Sequence, residues 1–564
     1  MTQLNSKLRD CFKSPSARRN PNAGGSVLNI HDRPNEDFNN ADGLLKQSLK
    51  SLWLRDLNHP QLTNWEKTKR RWARELKIVP KSSDLASAYQ DLVSLGEAPL
   101  NAHILDSLRI KKVRTQSGVA PFAVMMKPYP CPGRCVYCVE EPGLPKSYMA
   151  DEPASARALS HNFDPIKQVE SRLLQMKLTG HSPQKLQIIV VGGTFSAYEN
   201  TYKISFLKGI FDACNGFIAK NITEAHEANE NAMHRVVGLS IETRPDWISD
   251  EEIKLLRMCG VTKVQLGVQS LSEEINNKSG RGHDLEAVIR ATRQLRNAGF
   301  KINYHFMLNL PGSNPEKDIS MARELFDNFN YRPDSLKIYP SVVIPNTPLY
   351  NLFKKGLYKS YEPDVLAETL VQIKTNVPHY CRIDRLARDI TRNYTASGNL
   401  RTNLREMVSQ KMAEKNLLCQ CIRCREIKQN YVSTENIKLD TYKYQAADGD
   451  EYLISYNSNK FLFALLRLRV PHEKHKIEPI FSELKNASII RELQVFGKQA
   501  QINGEAGAAI QHRSLGLRLM CEAEKLTKSL GINKIAVISG IGVRSYYKKI
   551  GYQLEGFYMT KELL

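Results

Sequence analysis

The chain has 564 residues, with 80 Lys or Arg against 59 Asp or Glu, so its formal net charge is +21. This length exceeds one ordinary domain, and 41% hydrophobic and 25% charged residues exclude a disordered or fibrous protein. Neither an apolar run of membrane-spanning length nor an apolar signal core is found, which predicts a cytoplasmic protein without a membrane segment. The positive excess favours a polyanionic partner, whether nucleic acid, anionic membrane surface or phosphorylated ligand.

The N-terminal part of the chain is predicted to be a basic extension. Residues 1–45 are rich in Asn, Ser, Gly and Pro, which predicts a mobile basic arm. Residues 46–112 are predicted to be helical, and positive charge clusters at 67–74 and at 109–114. Such a cluster is usually a solvated helix face, but two of them beside a group of cysteines favour phosphate contacts, as in RNA binding.

Residues 113–345 alternate short apolar runs with helical stretches. The apolar runs, each a predicted strand, lie at residues 122–126, 186–191, 236–241, 264–268, 302–308 and 336–343. This alternation predicts parallel strands joined by right-handed crossovers, and thus a partial (β/α)6 barrel of the α/β class. Functional side chains are expected directly after these strands, because chemistry in such barrels lies at the carboxyl ends of the strands.

A connector is predicted at residues 346–430, followed by a mixed α+β domain at 431–564. Its predicted elements are strands within 442–456, 462–470 and 489–496, a helix at 515–530, a strand at 534–539 and a short helix near 545–550.

Six of the eleven cysteines form two tight clusters, which favours metal chemistry in a reducing compartment over disulfides. The first cluster has the spacing C-x3-C-x2-C directly after the first predicted strand: Cys131, Cys135 and Cys138. Three thiolates on one short loop are predicted to hold three irons of a [4Fe–4S] cluster, with zinc as the alternative.

The second cluster has the spacing C-x-C-x2-C and consists of Cys419, Cys421 and Cys424. Three close thiolates predict a Zn²⁺ site, with unligated thiols as the alternative. The sequence leaves the fourth ligand open among His379, Cys381, His472 and His475.

The first cysteine cluster on this architecture resembles the radical S-adenosylmethionine superfamily. The resemblance implies that the open iron binds S-adenosylmethionine and that reduction cleaves it to a 5′-deoxyadenosyl radical, so an electron donor such as a ferredoxin or flavodoxin is expected. The implied contacts to S-adenosylmethionine follow the second, third and fourth strands: Gly192, Gly193, Thr194, Glu242, Arg244 and Gln269. A simple turn is the alternative for the glycines, and a structural ion pair for Glu242 and Arg244.

The order strand, loop, helix, strand and Tyr546-Tyr547 near the C-terminus resembles the GCN5-related N-acetyltransferase (GNAT) fold. Ser514 stands where the coenzyme loop of that family has its first glycine. The resemblance implies acetyl-coenzyme A (acetyl-CoA) contacts at Lys185, Glu492, Leu493, Gln494, Val495, Gln511, Leu515, Gly516, Leu517 and Tyr547. It further implies that Lys337, Tyr547 and His512 are catalytic and that Lys127 binds an anionic ligand.

Together the two domains resemble the elongator protein 3 family, the catalytic subunit of Elongator. The match runs from residue 113 to 563 and includes segments such as Arg281-Gly-His283. It implies C5 modification of the wobble uridine (U34) in the tRNA anticodon loop. The radical would take hydrogen from the acetyl methyl of acetyl-CoA, the carbon radical would add to C5, and thioester hydrolysis would leave a carboxymethyl group. Three features indicate a prokaryotic stand-alone member: Val139-Glu-Glu-Pro after the cluster, the lack of a long insertion between its first two cysteines, and the C-x-C-x2-C junction.

Two other functions stay open. One is a protein lysine acetyltransferase with a structural cluster, although a basic surface would repel a lysine-rich substrate. The other is a non-catalytic RNA-binding scaffold. The sequence also leaves a homodimer open.

Overall fold

The computed structural model describes most of the chain outside the N-terminal arm: residues 36–57, 65–80, 82–99, 118–179, 181–388, 403–427, 437–458, 461–472, 478–497 and 514–563, with residues 101, 104, 390 and 394–398. The chain divides into two compact units, Met1–Lys112 with Leu173–Ser182, and Val113–Arg172 with Pro183–Leu564. No helix among the described residues is long and apolar enough to cross a membrane. Residues 1–35 and the charge cluster at 109–114 lie outside the described residues.

The first unit is built from helices α1 (Glu36–Asp56), α2 (Trp65–Leu76) and α3 (Ser82–Ser94). Aromatic rings pack together in its core: the ring of Trp53 lies 4.8 Å from that of Trp72 and 4.9 Å from that of Tyr89. Asp56 accepts a hydrogen bond from the Trp72 indole at 2.6 Å and pairs with Arg71, which ties α1 to α2. Helix α1 begins nine residues before residue 45, the predicted end of the mobile arm.

The second unit begins with a parallel sheet in the order β1-β2-β3-β4-β5-β6-β7. Its strands are β1 (Val119–Met125), β2 (Lys185–Val191), β3 (Arg235–Thr243), β4 (Lys263–Gln269), β5 (Lys301–Leu308), β6 (Ser335–Pro340) and β7 (Arg382–Arg385). The predicted partial barrel is confirmed, with two differences. The sixth strand ends at Pro340, and the predicted connector contributes β7 to the sheet.

Helices lie between and after these strands. They are α4 (Pro153–Ser160), α5 (Pro165–Leu178), α6 (Asn200–Asn215), α7 (Ile222–Asn229), α8 (Asp250–Met258), α9 (Glu273–Lys278), α10 (Leu285–Asn297), α11 (Pro315–Asp327), α12 (Pro348–Lys354), α13 (Pro363–Thr375), α14 (Leu404–Glu414) and α15 (Ile422–Arg425). Many begin with a side-chain cap, such as Ser249 before α8 and Asp284 before α10.

A second sheet has the order β13-β14-β12-β11-β10-β9-β8. Its elements are β8 (Lys438–Gln445), β9 (Gly449–Ser458), β10 (Phe461–Pro471), β11 (Ala487–Val495), α16 (Leu515–Ser529), β12 (Lys534–Val537), α17 (Arg544–Lys549), β13 (Gln553–Glu555) and β14 (Tyr558–Glu562). Strands β11 and β12 pair in parallel only as far as Ile490 and Val537. Beyond that point β11 continues to Val495 beside β10 alone, so β11 and β12 splay apart.

Buried charges join the second sheet to the amino ends of the barrel strands. Asp334, which precedes β6, accepts a hydrogen bond from Arg491 on β11 at 3.0 Å and lies 3.6 Å from both Arg296 and Arg467. Although burial opposes ionisation, these three guanidinium groups hold the pKa of Asp334 well below its usual range. Glu451 on β9 lies 3.2 Å from Arg296 and from Arg491. This network of buried ion pairs connects the two sheets.

Candidate active site

The first cysteine loop follows β1, at the carboxyl end of the barrel strands as predicted. A Cβ atom at Gly133 would lie 3.5 Å from the sulfur of Cys135 and 3.8 Å from that of Cys131, so the loop wraps closely around both sulfurs. Among the residues the structure describes, these three cysteines do not form a group with all sulfurs within 4.8 Å of one another. Three thiolates on one short loop can ligate three irons of one [4Fe–4S] cluster.

The electrostatic surroundings of Cys135 also fit metal ligation. Arg281 donates a hydrogen bond from Nη1 to Cys135 Sγ at 3.6 Å. Hydrogen bonding from Cys138 and the positive charge of Arg281 outweigh burial and hold the pKa of the Cys135 thiol well below its usual range. The thiolate is the form that binds metal. The buried hydroxyl of Tyr137 lies beside Cys135 and is a second donor there.

The glycine pair after β2 lies directly against the cysteine loop. Gly192 and Gly193 have φ of +140° and +91°, which side chains rarely allow, and a Cβ at Gly192 would lie 3.1 Å from Met126 Cβ. Thr194 Oγ1 is 3.8 Å from Cys131 Sγ. The structure therefore brings the predicted glycine segment to the cluster loop, with backbone that a ligand can approach closely.

Arg244 has a different environment from the one predicted. It donates to both oxygens of Asp246 at 2.9 and 2.8 Å, and to the carbonyls of Arg281 and Gly282 at 2.8 and 3.2 Å. Its Nη1 also lies 2.7 Å from the point where a Cβ on Gly133 would stand. Each of its three nitrogens already has a partner, so Arg244 supports the cysteine loop instead of presenting a free cation to a ligand.

Glu242 and Lys337, predicted for different roles, form one ion pair inside the barrel. Glu242 accepts from Lys337 Nζ at 2.9 Å and from the Tyr148 hydroxyl at 2.8 Å, and His305 Nε2 lies 3.8 Å away. Burial opposes the charge, but Lys337 and His305 lower the pKa of Glu242 to about 2. Sequence reasoning missed Tyr148 and His305. Side chains alternate between the two faces of a strand, and this alternation along β5 could have placed His305 on the face toward the barrel interior.

Two further predicted ligand contacts keep unused polar groups. Gln269, at the end of β4, has φ +68°, and its buried Oε1 has no hydrogen-bond partner in the described part of the chain. That oxygen is an open acceptor for a ligand. Lys127 follows β1, is exposed, and holds its ammonium 4.6 Å from the ring centre of Tyr202.

The predicted coenzyme residues converge at the start of α16. A Cβ at Gly516 would lie 3.7 Å from Val495 on β11 and 3.5 Å from the hydroxyl of Tyr546. The resemblance assigned the coenzyme contact to Tyr547, but Tyr546 lies nearer the helix start. Tyr547 is buried between the rings of Tyr546 and Tyr552. Leu515 is buried, Leu517 is exposed, and Gln511 and His512 lie outside the described residues.

Other predicted coenzyme contacts differ in their surroundings. Leu493 and Gln494 pair with β10 on the splayed part of β11. The carboxylate of Glu492 accepts from Lys301 and from Arg467, both at 2.8 Å, and is part of the network between the sheets. Lys185 starts β2, at the strand end opposite the cysteine loop. Burial and the neighbouring Arg235 lower the pKa of Lys185.

Ser514 occupies a left-handed conformation immediately before α16, with φ +55° and ψ +24°. An L-residue there costs about 1–2 kcal/mol, whereas glycine adopts it freely. We expect Ser514→Gly to raise the midpoint of thermal unfolding by about 1–2 °C. Ser514→Ala is the control and gives no rise, because alanine has the same backbone restriction. An equal rise in both variants would contradict backbone strain at this position.

The second cysteine cluster is compact. The sulfurs of Cys419, Cys421 and Cys424 all lie within 4.8 Å of one another, a spacing suited to a single ion. No fourth ligand atom from a His, Cys, Asp or Glu of the described ranges lies within 4.8 Å of all three sulfurs. His472 instead pairs with Asp450 at 3.2 Å, and His475 is outside the described residues.

Comparison with known proteins decides the family. The Radical SAM superfamily model matches residues 129–325, and the Radical_SAM C-terminal domain model matches residues 333–414. The tRNA uridine(34) acetyltransferase of Methanocaldococcus infernus is 41% identical over 480 residues, which is 82% of this chain and 88% of that protein. The chain belongs to the elongator protein 3 family. Human Elongator complex protein 3 is 38% identical over 482 residues, 82% of this chain and 87% of that protein.

A solved member of the elongator protein 3 family has the same architecture. The archaeal Methanocaldococcus infernus Elp3 lacking its N-terminus superposes with a TM-score of 0.69 and 38% identity, over 79% of this chain and all of that one. As a radical S-adenosylmethionine protein, the chain takes a [4Fe–4S] cluster and S-adenosylmethionine. The cysteine loop, the glycine pair and the open Gln269 acceptor fit these two groups.

Proposed function

We propose that this protein modifies C5 of the wobble uridine of tRNA, with acetyl-CoA as the source of a carboxymethyl group. The observation that supports this most is the presence, in one compact unit, of the cysteine loop of a radical S-adenosylmethionine barrel and of a splayed strand pair beside a helix start. Relatives named tRNA uridine(34) acetyltransferase match both parts, since the alignments cover 82% of the chain.

The barrel residues have distinct tasks in this proposal. When bound, the cluster and S-adenosylmethionine supply a radical able to remove hydrogen from an unactivated carbon. Cys131, Cys135 and Cys138 ligate the cluster, and Arg244 holds their loop in place through the carbonyls of residues 281 and 282. The buried Glu242–Lys337 pair is neutral as a whole, and it places a fixed ammonium and carboxylate inside the barrel, where they can form charge-assisted hydrogen bonds to a substrate.

The second sheet provides the acetyl donor site. Past Ile490 the backbone of β11 no longer pairs with β12, so its free amide and carbonyl groups can bind an extended coenzyme arm. Val495, Gly516 and Tyr546 line the place where that arm would reach the start of α16. Zn²⁺ at the second cysteine cluster would fix the segment that carries α15. A low-potential donor such as a ferredoxin or flavodoxin remains the predicted source of electrons.

A basic face of the first unit is proposed to bind the tRNA backbone. Arg70 and Arg74, one turn apart on α2, are exposed and pair with no acidic residue in the described part of the chain. Arg71, which the sequence grouped with them, is instead used internally, because it pairs with the nearly buried Asp56. The exposed pair therefore carries the phosphate contacts that the charge cluster predicted.

Reversing that face should change the salt dependence of tRNA binding. Each lost phosphate contact reduces the slope of log K against log salt by about 0.7 to 0.9. We expect Arg70→Glu with Arg74→Glu to reduce the slope by about 1.4 to 1.8 in a filter-binding titration. The control, Lys485→Glu with Lys525→Glu, makes the same net change just before β11 and on α16, and leaves the slope nearly unchanged. Equal slopes for both double variants would remove α2 from the tRNA site.

The proposed function itself is tested in cells by mass spectrometry of wobble nucleosides from a strain that lacks the gene. The expected result is loss of the C5 substituent, with its return on complementation. An unchanged wobble nucleoside combined with reduced lysine acetylation would instead identify a protein acetyltransferase, and no change in either would leave an RNA-binding scaffold.

A further inference from the structure

The side chain of Arg281, in the Arg281-Gly-His283 motif, has no role in the proposed function, yet it reaches the cysteine loop. Arg281 lies just after α9 and is only 7% exposed. Its Nη1 points to Cys135 Sγ at 3.6 Å, the one direct contact between a cation and a cluster sulfur among the described residues. The contact joins a buried charge to a ligand of the cluster.

The backbone fixes this contact from two sides. Val136 N–H donates to the carbonyl of Ser279 at 3.0 Å, so the segment before Arg281 lies along the cysteine loop. Gly280 has φ +66°, and a Cβ there would lie 2.6 Å from the carbonyl oxygen of Arg134. No side chain larger than a hydrogen atom fits between the two segments, which keeps Arg281 at the sulfur.

The side chain of Arg281 is held by neutral groups. Its Nε donates to the carbonyl of Gly267 at 3.1 Å and lies 3.0 Å from His283 Nε2, while Nη2 donates to the same carbonyl. No carboxylate of the described residues lies within ion-pairing distance of it. The positive charge of Arg281 is therefore directed to Cys135 and is not neutralised by an acid.

We propose that Arg281 raises the reduction potential of the cluster and is thus a positioning and tuning residue for the radical reaction. Three thiolates and an oxidised [4Fe–4S]²⁺ core carry a net charge of −1, and uptake of one electron from a reductant makes it −2. A buried guanidinium beside a ligand sulfur stabilises the second state more than the first. Hydrogen bonds to the sulfurs, burial and charge are the means by which proteins set such potentials. The Tyr137 hydroxyl is a second donor in the same place.

This inference depends on the cluster, but not on the proposed tRNA substrate, so it is measured without tRNA. Reconstituted wild-type enzyme, Arg281→Gln and Arg281→Lys are titrated with dithionite, and the reduced cluster is counted by electron paramagnetic resonance. Loss of the charge should lower the ratio of reduced to oxidised cluster at a given solution potential by at least tenfold in Arg281→Gln, a shift of about 59 mV for one electron. Arg281→Lys keeps the charge and should fall between it and the wild type.

Controls separate tuning from folding. Arg257 is equally buried but donates only to carbonyl oxygens of residues 261, 539 and 557, so Arg257→Lys should leave the potential unchanged. Iron content shows whether each variant carries a full cluster. If Arg281→Gln fails to load, Arg281→Met, which also removes the charge, decides by the same tenfold criterion. A fall of less than tenfold in the loaded variant without the charge would overturn the proposal, whatever happens to tRNA modification.

Discussion

Cys135→Ala is expected to lose the visible absorption of the iron–sulfur cluster and to reduce U34 modification to the level of a strain without the gene. Cys135 is the buried member of its cluster, and its sulfur is contacted by Arg281 and overlaid by the backbone of Gly133. An alanine there leaves one iron without a protein ligand and leaves a buried guanidinium without its anionic partner. Iron analysis of the purified variant and mass spectrometry of wobble nucleosides measure the two losses.

The matched control is Cys214→Ala. Cys214 is also buried but lies on α6, and burial alone raises the pKa of its thiol, so it stays a neutral thiol with a packing role. We expect this variant to keep both the cluster and the modification. Intact U34 modification in Cys135→Ala would show that the cluster is structural, and would favour an acetyltransferase that works without radical chemistry.

Asp334→Ala is expected to destabilise the second unit by about 3–5 kcal/mol, since it leaves three buried guanidinium groups without their shared carboxylate. Asp334 accepts hydrogen bonds from Arg491 and from the amide of Ile302, at 3.0 and 2.9 Å, and lies at the junction of the two sheets. The urea concentration at the midpoint of unfolding, followed by circular dichroism, should fall. The slope of the unfolding free energy against urea concentration should stay the same.

An exposed ion pair provides the comparison for Asp334. Glu478 and Lys485 lie 2.9 Å apart at the surface, where solvent screening leaves about 0–1 kcal/mol for such a pair. Glu478→Ala should therefore leave the midpoint almost unchanged. A similar small effect for Asp334→Ala would mean that the buried network does not hold the two sheets together.

Regular patterns made the barrel and its first site predictable from sequence. Alternating apolar runs and helices gave six of the seven parallel strands, and cysteine spacing placed the cluster loop after β1. The strand β7 was missed because Arg382–Arg385 is mostly charged and has no apolar run. Helix α1 was missed at its start because Asn39, Asn40, Asp42 and Gly43 are poor helix formers.

The roles of individual charges could not be predicted in the same way. Glu492 was expected at a coenzyme, but its partner Lys301 is 191 residues away in sequence and meets it only when the two sheets pack. Arg244 was predicted to contact a ligand because its actual acceptors could not be recognised in the sequence. Two of them are the backbone carbonyls of residues 281 and 282, and any residue type has such a carbonyl. Charges paired across long sequence distances are defined by the tertiary fold, whereas cysteines on one loop are defined by spacing.

The most direct test of the central claim follows the hydrogen atoms of the acetyl methyl group. Reconstituted enzyme is given S-adenosylmethionine, dithionite, unmodified tRNA and acetyl-CoA with three methyl deuteriums, and the nucleosides are analysed by mass spectrometry. We expect 5′-deoxyadenosine with one deuterium and a wobble uridine whose carboxymethyl group carries two. Deuterium-free 5′-deoxyadenosine together with unmodified uridine would contradict it.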